Sequence, residues 1–384
     1  MSATARPSVL GVAVLGCGYV ADFYGATLPN HPQLRLVGAF DPDGDRLRSF
    51  CARYGGRAAV DERDLLTDPA VDIVLNLTPP AVHDEVNRRV LAHGRHLYCE
   101  KPLALRPEAA FELVALARER GVLVGGAPCS VLGESARTLW QALRDGRIGT
   151  PRLVYAELDN GPLPYLGSDQ WFSARGVPWP TIDELATGCT WEHAAYYVSW
   201  VVAMFGPVLR VESTVASVLH HEWPAGLDLA PDFSVGVLRT ADGVVCRITC
   251  GWVAPSDLSF TVVGDQGVLR VEDAWSYRSP VLLRRRRRPS GKQHDYLEPA
   301  VPLPFVDAPA GRPVAGYRDS HDMDVSRGVA ELADAVLGRT RLTLDAATHA
   351  HITEVCALLA AGRSGGPTPP HILRDGFDEM ATAT

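Results

Sequence analysis

The sequence predicts an α/β protein in which a doubly wound parallel sheet is followed by an α+β region with a large, mainly antiparallel sheet. Up to residue 128, short apolar runs alternate with stretches of helical periodicity. After Gly149-Thr150-Pro151, strand-like runs follow one another across short turns. A length of 384 residues suits two domains. We therefore expect one domain at 1–128 and a second at 129–384, whose last helices are candidates to pack back on the first.

The elements follow from the period of the apolar residues. In the first domain, a fully apolar run predicts a buried parallel strand at 9–15, and mainly apolar runs predict further strands at 34–40, 71–77, 96–99 and 122–125. The stretches between them predict helices at 22–28, 46–54, 84–92 and 107–120. In the second domain, strands are predicted at 152–160, 207–219, 232–240, 243–253, 257–263 and 267–272, and helices at 190–205, 322–338 and 345–361. Short turns such as Ala241-Asp242-Gly243 favour antiparallel pairing there.

Composition and charge exclude several classes of partner. The formal net charge of −8 gives little attraction to nucleic acid or an anionic membrane, and we interpret the one basic run, Arg284 to Arg288, as a solvated strand edge. The polar opening MSATARPS is too short for a signal peptide, and no apolar run of 18 residues follows. We therefore expect a cytoplasmic protein with no membrane partner. The eight cysteines include no C-x-x-C pair, so no metal site is predicted.

A glycine-rich turn follows the first predicted strand. Gly16, Gly18 and Ala21 form a G-x-G-x-x-A pattern just before a helix. Gly16 permits a tight turn, Gly18 lets backbone N–H groups approach phosphates, and Ala21 lets the helix pack closely on the strand. This arrangement is typical of a Rossmann dinucleotide-binding domain, in which the turn residues Tyr19 and Val20 also belong to the site.

Asp41 ends the second predicted strand, 23 residues after Gly18. A carboxylate in this position accepts hydrogen bonds from both ribose hydroxyls and repels a 2′-phosphate. The alternative is that Asp41 only serves the turn Asp41-Pro42-Asp43-Gly44, whose composition favours turns. The sequence therefore predicts NAD as the cofactor, with NADP less favoured.

The segment 73–102, IVLNLTPPAVHDEVNRRVLAHGRHLYCEKP, strongly resembles the Gfo/Idh/MocA family of sugar and cyclitol oxidoreductases. The resemblance extends over most of the chain, and its matching elements are Thr78-Pro79, His83, Ala92-His93-Gly94, Glu100-Lys101-Pro102, Gly146-Arg147-Ile148-Gly149 and the late helix that opens at Ser326. It implies that the second domain binds a carbohydrate-like small molecule and forms a homodimer or homotetramer.

The resemblance also implies roles for single residues. Thr78 and Pro79 would border the nicotinamide side of the cofactor, with His83 in the same site. Glu100 would contact the cofactor ribose. Lys101 would point at the reacting carbinol or carbonyl, where an ammonium stabilises developing negative charge. The Lys101–Pro102 bond is often cis in the family.

One helix departs from the family pattern. Members commonly carry an Asp and, four residues later, a His that face the substrate, whereas this sequence has Glu192 and Tyr196 at that spacing. Glu192 is expected to hydrogen-bond a substrate hydroxyl, and Tyr196 to act as the acid/base if a lysine ammonium lowers its pKa. His193 is the rival, about 100° round the helix. Alternatively, Tyr196 is a core aromatic and catalysis rests on Lys101 alone.

Aromatic residues precede this helix and suit the C–H face of a sugar or cyclitol ring. We expect Trp171 and Phe172 to contact substrate, together with Tyr165 and Trp179. Arg175 is expected to bind substrate hydroxyls, and the other polar candidates for this role are Asp159, Asn160, Asp169 and Gln170. The alternative for any one of them is a hydrophobic loop packed on the second domain.

The leading hypothesis is an NAD(P)-dependent dehydrogenase or reductase that acts on a secondary hydroxyl or ketone of a sugar, aminosugar or cyclitol. A second hypothesis is an enzyme that retains NAD and uses transient oxidation for epimerisation, elimination or glycoside cleavage. A third is a non-catalytic dinucleotide-binding sensor. Lys101, in its full motif, argues against the third.

Overall fold

The computed structural model of the protein describes residues 9–219, 229–287, 296–306 and 323–362. Within these ranges, the strands form two sheets, one of six and one of eight strands. No helix in the described ranges combines the length and apolar character needed to cross a membrane.

The first sheet is parallel throughout. Its strands are β1 (Leu10–Leu15), β2 (Leu34–Phe40), β3 (Arg57–Ala58), β4 (Ile73–Asn76), β5 (His96–Cys99) and β6 (Val124–Gly126), in the spatial order β3-β2-β1-β4-β5-β6. The helices between them are α1 (Ala21–Thr27), α2 (Gly44–Tyr54), α3 (Glu62–Leu66), α4 (His83–Ala92) and α5 (Pro107–Arg120). The strand order reverses between β1 and β4, and ligands of such sheets bind beyond the carboxyl ends of the strands at this point.

The second sheet is antiparallel except for one pair. The elements are α6 (Glu134–Arg144), β7 (Pro151–Asp159), α7 (Thr181–Thr187), α8 (Cys189–Phe205), β8 (Val208–Ala216), β9 (Phe233–Thr240), β10 (Val245–Gly251), β11 (Phe260–Gly264), β12 (Gly267–Val271), β13 (Val281–Arg285) and β14 (Val301–Pro302). The spatial order is β14-β13-β12-β11-β7-β10-β9-β8, in which β7 and β10 are parallel. Short 3-10 turns lie at Leu28–Asn30, Pro80–Val82, Ser130–Leu132, Leu163–Tyr165 and Ser168–Gln170.

α8 covers one face of the second sheet. The helix is apolar on nearly every side, and Tyr197 and Trp200 are buried against Phe260 of β11. Strand side chains alternate between faces, so β7 buries Val154 and Ala156 under the helix and leaves Tyr155 exposed on the opposite face. The second sheet therefore has one covered and one open face.

The last two helices are α9 (Ser326–Val336), which contacts the first sheet, and α10 (Ala346–Ala360), which contacts both sheets. Val329 and Leu332 of α9 are buried in the same cluster as residues of β1 and β4. Ala350 of α10 packs with the helices of the first sheet, whereas Val355 packs with the core of the second. α10 therefore joins the two sheets into one packed unit.

The predicted fold class is confirmed: a Rossmann-type parallel sheet precedes a mainly antiparallel sheet. The structure adds elements that sequence analysis does not predict, namely α3, α6, α7, β3, β13 and β14. α3 and α7 span five and seven residues, too few for a helical period to show. Arg284 and Arg285 of the basic run end β13, next to the edge strand β14; Arg288 lies outside the described residues.

Candidate functional site

Two adjoining cavities open at the carboxyl ends of the first sheet's strands. The first, which we call the glycine-turn cavity, has a volume of about 360 Å³. It is lined by every residue that the sequence predicted for cofactor binding: Gly16, Gly18, Tyr19, Val20, Asp41, Thr78, Pro79, His83, Glu100 and Lys101. Distant segments of the sequence thus meet at one place because each follows a strand of the same parallel sheet.

The two glycines of the turn have different structural roles. Gly16 has a φ of +95°, and a Cβ at this position would lie 2.6 Å from the carbonyl oxygen of Leu77. Only glycine fits there. A Cβ on Gly18 would meet nothing within 4 Å, so Gly18 faces open space. The turn therefore presents bare backbone to the cavity at Gly18.

Asp41 is nearly buried, with 8% of its surface exposed. Its Oδ2 accepts a hydrogen bond from the Cys17 backbone N–H at 2.6 Å, and its Oδ1 accepts one from the Asp43 N–H at 2.8 Å. Asp41 therefore serves the turn and also lines the cavity. Because each carboxylate oxygen has a second lone pair, Asp41 can still accept hydrogen bonds from a ligand. Arg46 brings a positive charge to the same cavity.

His83 connects two loops instead of offering a nitrogen to a ligand. Its ring is fully buried, with Nδ1 2.7 Å from the Pro102 carbonyl oxygen and Nε2 2.7 Å from the Thr78 carbonyl oxygen. Burial lowers the pKa of His83, which the two carbonyl contacts oppose. Protein carbonyls therefore occupy both ring nitrogens, and the cofactor-binding role of His83, which lines the cavity, stays a prediction.

Glu100 and Lys101 are held by local hydrogen bonds. The Tyr24 hydroxyl donates to Glu100 Oε1 at 2.7 Å, and the Lys101 N–H donates to Glu100 Oε2 at 3.1 Å. Burial, with Glu100 beside it, raises the pKa of Tyr24 well above its usual value, so the phenol remains the donor. The Lys101–Pro102 bond is cis, as the resemblance implies.

The second cavity, which we call the aromatic cavity, has a volume of about 540 Å³. Lys101, Glu100 and Glu192 line both cavities. Other residues named in the sequence analysis also line this cavity, namely Tyr19, Val20, Asn160, Trp171, Trp179, His193 and Tyr196. Tyr24, Glu184, Trp275 and Tyr277 line it as well, although the sequence does not predict them as site residues. The ring of Trp275 lies 5.0 Å from that of Tyr196 and 5.3 Å from that of His193, between centroids.

Lys101 and Glu192 form an ion pair where the two cavities meet. The Lys101 ammonium contacts Glu192 Oε2, and the side chains are only 15% and 4% exposed. Burial disfavours both charged forms, but the opposite charges outweigh it, so the pKa of Lys101 is raised and that of Glu192 is lowered. The pair is therefore charged near neutral pH.

Tyr196 and His193 do not titrate near neutral pH in this structure. An acid/base role for Tyr196 was predicted on the condition that a lysine lowers its pKa. The charge of Lys101 acts in that direction, but burial outweighs it, so the pKa of Tyr196 is raised and the condition is not met. Burial, followed by the charge of Lys101, lowers the pKa of His193 to about 3. His193 Nδ1 is buried and makes no hydrogen bond within the described part of the chain.

Two predicted substrate residues lie outside both cavities. Phe172 is 52% exposed, because neighbouring residues of an extended segment point to opposite sides and Trp171 takes the inward position. The Arg175 side chain is 3% exposed and forms an ion pair with Asp22, so it is not available to substrate. Among the other candidates, Asp169, Gln170 and Tyr165 are exposed. Burial raises the pKa of Asp159 to about 6.

Glu184 and Trp275 are the main site residues that sequence reasoning missed. Glu184 lies in the short helix α7, next to the exposed Asp183, and nothing in the local sequence distinguishes the two carboxylates. Trp275 follows β12 far along the chain. Within the described ranges, no group of three or more His, Cys, Asp or Glu side chains is placed to hold a metal ion, and all eight cysteines are free.

Comparison with known proteins assigns the family. A model described as "Oxidoreductase family, NAD-binding Rossmann fold" (GFO_IDH_MocA) matches residues 10–126, and the "GFO/IDH/MocA C-terminal domain" matches 136–270. The dTDP-3,4-didehydro-2,6-dideoxy-alpha-D-glucose 3-reductase of Streptomyces violaceoruber is 31% identical, over 85% of this chain and 94% of its own. The inositol 2-dehydrogenase of Ralstonia nicotianae is 25% identical, over 69% and 74%.

Solved structures share the fold. The WlbA dehydrogenase from Bordetella pertussis, in complex with NADH and UDP-GlcNAcA, superposes with a TM-score of 0.68 at 18% identity and covers 94% of this chain and 96% of its own. A 3-ketoreductase from Actinomadura kijaniata, in complex with TDP-benzene and NADP, gives 0.69 at 21% identity, over 93% and 98%. The family models match more than half of the chain, so this protein belongs to the Gfo/Idh/MocA family of NAD(P)-binding oxidoreductases.

Proposed function

We propose that the protein is an NAD-dependent dehydrogenase or reductase of a secondary hydroxyl or ketone on a sugar, aminosugar or cyclitol. The observation that carries this proposal is the position of Lys101, whose ammonium is held by Glu192 where the two cavities meet. A proton-bearing group at that junction can serve a reacting oxygen in the aromatic cavity next to a nicotinamide in the glycine-turn cavity.

The residues of the glycine-turn cavity fit a dinucleotide. The open space beside Gly18 would take a pyrophosphate against bare backbone, and Asp41 retains acceptor capacity for ribose hydroxyls. Thr78, Pro79 and Glu100 would hold the nicotinamide half. When bound, the nicotinamide supplies hydride acceptance or donation.

We propose the following division of labour among the chain's own residues. Lys101 carries the proton that the substrate oxygen gains or loses, and its charge stabilises negative charge on that oxygen. Glu192 holds the ammonium in place, and Tyr196, whose raised pKa keeps its phenol protonated, donates a hydrogen bond to substrate. The rings of Trp171 and Trp275 offer flat apolar walls for a sugar ring.

The preference for NAD over NADP rests on Asp41. Its carboxylate borders the cavity and would repel a 2′-phosphate. The positive charge of Arg46, which lines the same cavity, opposes this preference. The Arg46 side chain is exposed, however, and its Nε lies 3.4 Å from Asp43 Oδ2, whose negative charge offsets part of the positive charge. The relatives reported above are reductases and dehydrogenases of sugars and cyclitols, so we do not carry forward an NAD-retaining lyase or epimerase or a non-catalytic sensor.

We further propose a homodimer or homotetramer formed through the open face of the second sheet. Tyr155 and Val237 are each 37% exposed there, on either side of Arg247, and Leu209 is 46% exposed. Val237→Lys is expected to reduce the mass measured by light scattering, whereas Val60→Lys, at a site 88% exposed, serves as the control. A wild-type monomer would contradict this assembly.

The experiment for the proposed function is a screen for NAD reduction over sugars, aminosugars and cyclitols, with the corresponding ketones tested for NADH oxidation. Lys101→Met is expected to reduce kcat by about 10²- to 10⁴-fold and to leave NADH binding intact. Arg118→Met, which removes an exposed charge from α5, is the matched control. Wild-type turnover by Lys101→Met on every substrate would overturn the proposal.

A further inference from the structure

Glu184 adds a second carboxyl group to the Lys101–Glu192 pair. It comes from α7, whereas Glu192 comes from α8 and Lys101 follows β5. The Glu184 side chain makes a hydrogen bond with the side chain of Glu192, which in turn contacts the Lys101 ammonium. All three side chains line both cavities. They form a continuous row: Glu184, Glu192, Lys101.

A hydrogen bond between two carboxyl groups requires a proton. An ionised carboxylate only accepts hydrogen bonds, so two ionised carboxylates cannot bond to each other, and neighbouring carboxyl groups ordinarily share one proton. The contact between Glu184 and Glu192 therefore places one exchangeable proton beside the lysine.

The surroundings decide which carboxyl group holds this proton. Burial, followed by the charge of Glu192, raises the pKa of Glu184 well above its usual value, and Lys101 only partly opposes this. Glu192 has the ammonium as its direct partner, and its pKa is lowered. Glu184 is thus the neutral acid that donates, and Glu192 is the ionised acceptor.

Two other titratable groups near this row, Tyr196 and His193 of α8, are poor proton carriers near neutral pH. Among the described residues, Glu100 beside Lys101 also faces the row. The pKa of Tyr196 is raised and that of His193 lies at about 3, so neither exchanges a proton readily at pH 7. Glu100 already accepts hydrogen bonds from Tyr24 and from the Lys101 backbone.

We propose that Glu184 stores the proton that Lys101 exchanges with the substrate and passes it through Glu192. This inference rests on the proposed function. In ketone reduction, a bound dihydronicotinamide would supply the hydride that the carbonyl carbon gains, and the C=O electron pair would move to oxygen. That oxygen takes a proton from the Lys101 ammonium. Glu192 takes the proton of Glu184 and passes it to the neutral amine of Lys101, and Glu184 is then reprotonated from water.

In alcohol oxidation every proton transfer would run in reverse, and a bound oxidised nicotinamide would supply the hydride acceptor. Glu184 acts through Glu192 and does not touch substrate, so it is a positioning and proton-supplying residue. Glu184 thus supplies an exchangeable proton in a site where neither Tyr196 nor His193 titrates near pH 7.

The first test uses the enzyme without substrate. Infrared difference spectra over a pH series detect the C=O band of a protonated carboxyl group. We expect a band in the wild type that persists well above the usual pKa of a glutamic acid, about 4.3. The band should vanish in Glu184→Gln and remain in Glu331→Gln, which removes another buried carboxyl with a raised pKa, outside this row. A spectrum that Glu184→Gln leaves unchanged overturns the proposal.

The second test is the pH profile of ketone reduction. The wild-type kcat should fall as the pH rises and Glu184 loses its proton. In Glu184→Gln, kcat should be about 10- to 100-fold lower, without this alkaline limb and with unchanged KM. Glu184→Asp should restore part of kcat. A wild-type kcat and profile in Glu184→Gln would overturn the relay, even if the infrared band is lost.

Failure of the proposed function is a separate result. It would appear as no turnover by the wild type with any compound of the screen, and the relay would then have no reaction to serve. The infrared band would still report whether the two carboxyl groups share a proton. Circular dichroism and NADH titration check the fold of each variant, and Glu184→Asp replaces Glu184→Gln if the latter is unfolded.

Discussion

Arg175 forms a buried ion pair with Asp22, although the two residues are far apart in the sequence. Their side chains are 3% and 0% exposed. The same guanidinium donates hydrogen bonds to the carbonyl oxygens of Cys17 at 2.8 Å and Gly18 at 3.0 Å. The loop before α7 therefore contacts the glycine turn, and the shape of the turn depends on a residue that follows the first sheet in the sequence.

Arg175→Met is expected to lower the free energy of unfolding by about 3–5 kcal/mol, because it leaves the Asp22 carboxylate buried without its partner. Dinucleotide affinity should fall as well, since the glycine turn loses two hydrogen bonds. Urea unfolding and NADH fluorescence titration measure the two effects. Asp22→Asn combined with Arg175→Met should be less destabilised than the sum of the single variants. Strict additivity would mean that the pair does not interact.

Gly16→Ala and Gly18→Ala should distinguish the contribution of the glycine turn to stability from its contribution to dinucleotide binding. Gly16→Ala introduces a Cβ at 2.6 Å from the Leu77 carbonyl oxygen and forces alanine to a φ of +95°, so both stability and dinucleotide binding should fall. Gly18→Ala meets no atom within 4 Å, so its stability should match the wild type while dinucleotide affinity drops at least about tenfold. Thermal unfolding and NADH titration distinguish them. Tight NADH binding by Gly18→Ala would contradict a pyrophosphate at this turn.

Asp41→Asn tests the cofactor preference. The amide oxygen can still accept a hydrogen bond from the Cys17 N–H, but the negative charge is gone. We expect the ratio of NADP to NAD affinity to rise by about tenfold or more, because repulsion of a 2′-phosphate is removed. Arg46→Gln is the complementary variant and should lower NADP affinity selectively. If the wild type already binds NADP more tightly than NAD, the preference is wrong.

His193 should make the protein less stable in acid. Its pKa is about 3 in the folded protein, against about 6.5 in an unfolded chain. Below pH 6.5 the unfolded chain takes up a proton that the folded protein does not, so stability is present above 6.5 and is lost as the pH falls towards 3. His193→Gln cannot protonate, so the slope of unfolding free energy between pH 6.5 and 4 should decrease. The exposed His93→Gln is the control, and an unchanged slope in His193→Gln would refute the assignment.

The cofactor side of the site was largely predictable from the sequence, whereas the substrate side was not. Gly16, Asp41, Thr78 and Lys101 follow successive strands of a parallel sheet, so a local pattern of apolar runs locates them at one edge. In the loop before α7, neighbouring residues such as Trp171 and Phe172 point to opposite sides. No periodic pattern tells them apart.

By itself, the sequence determined the glycine turn and the alternation of the longer strands and helices, because these depend on local periods and on backbone freedom at single positions. The role of the lysine motif came from its resemblance to a known family. Only the tertiary structure decided that Arg175 holds the glycine turn, that His83 joins two loops, and that Glu184 reaches Glu192. The physical reason is that burial and long-range pairing set the charge state and the contacts of a polar side chain, and neither is encoded in the residues next to it.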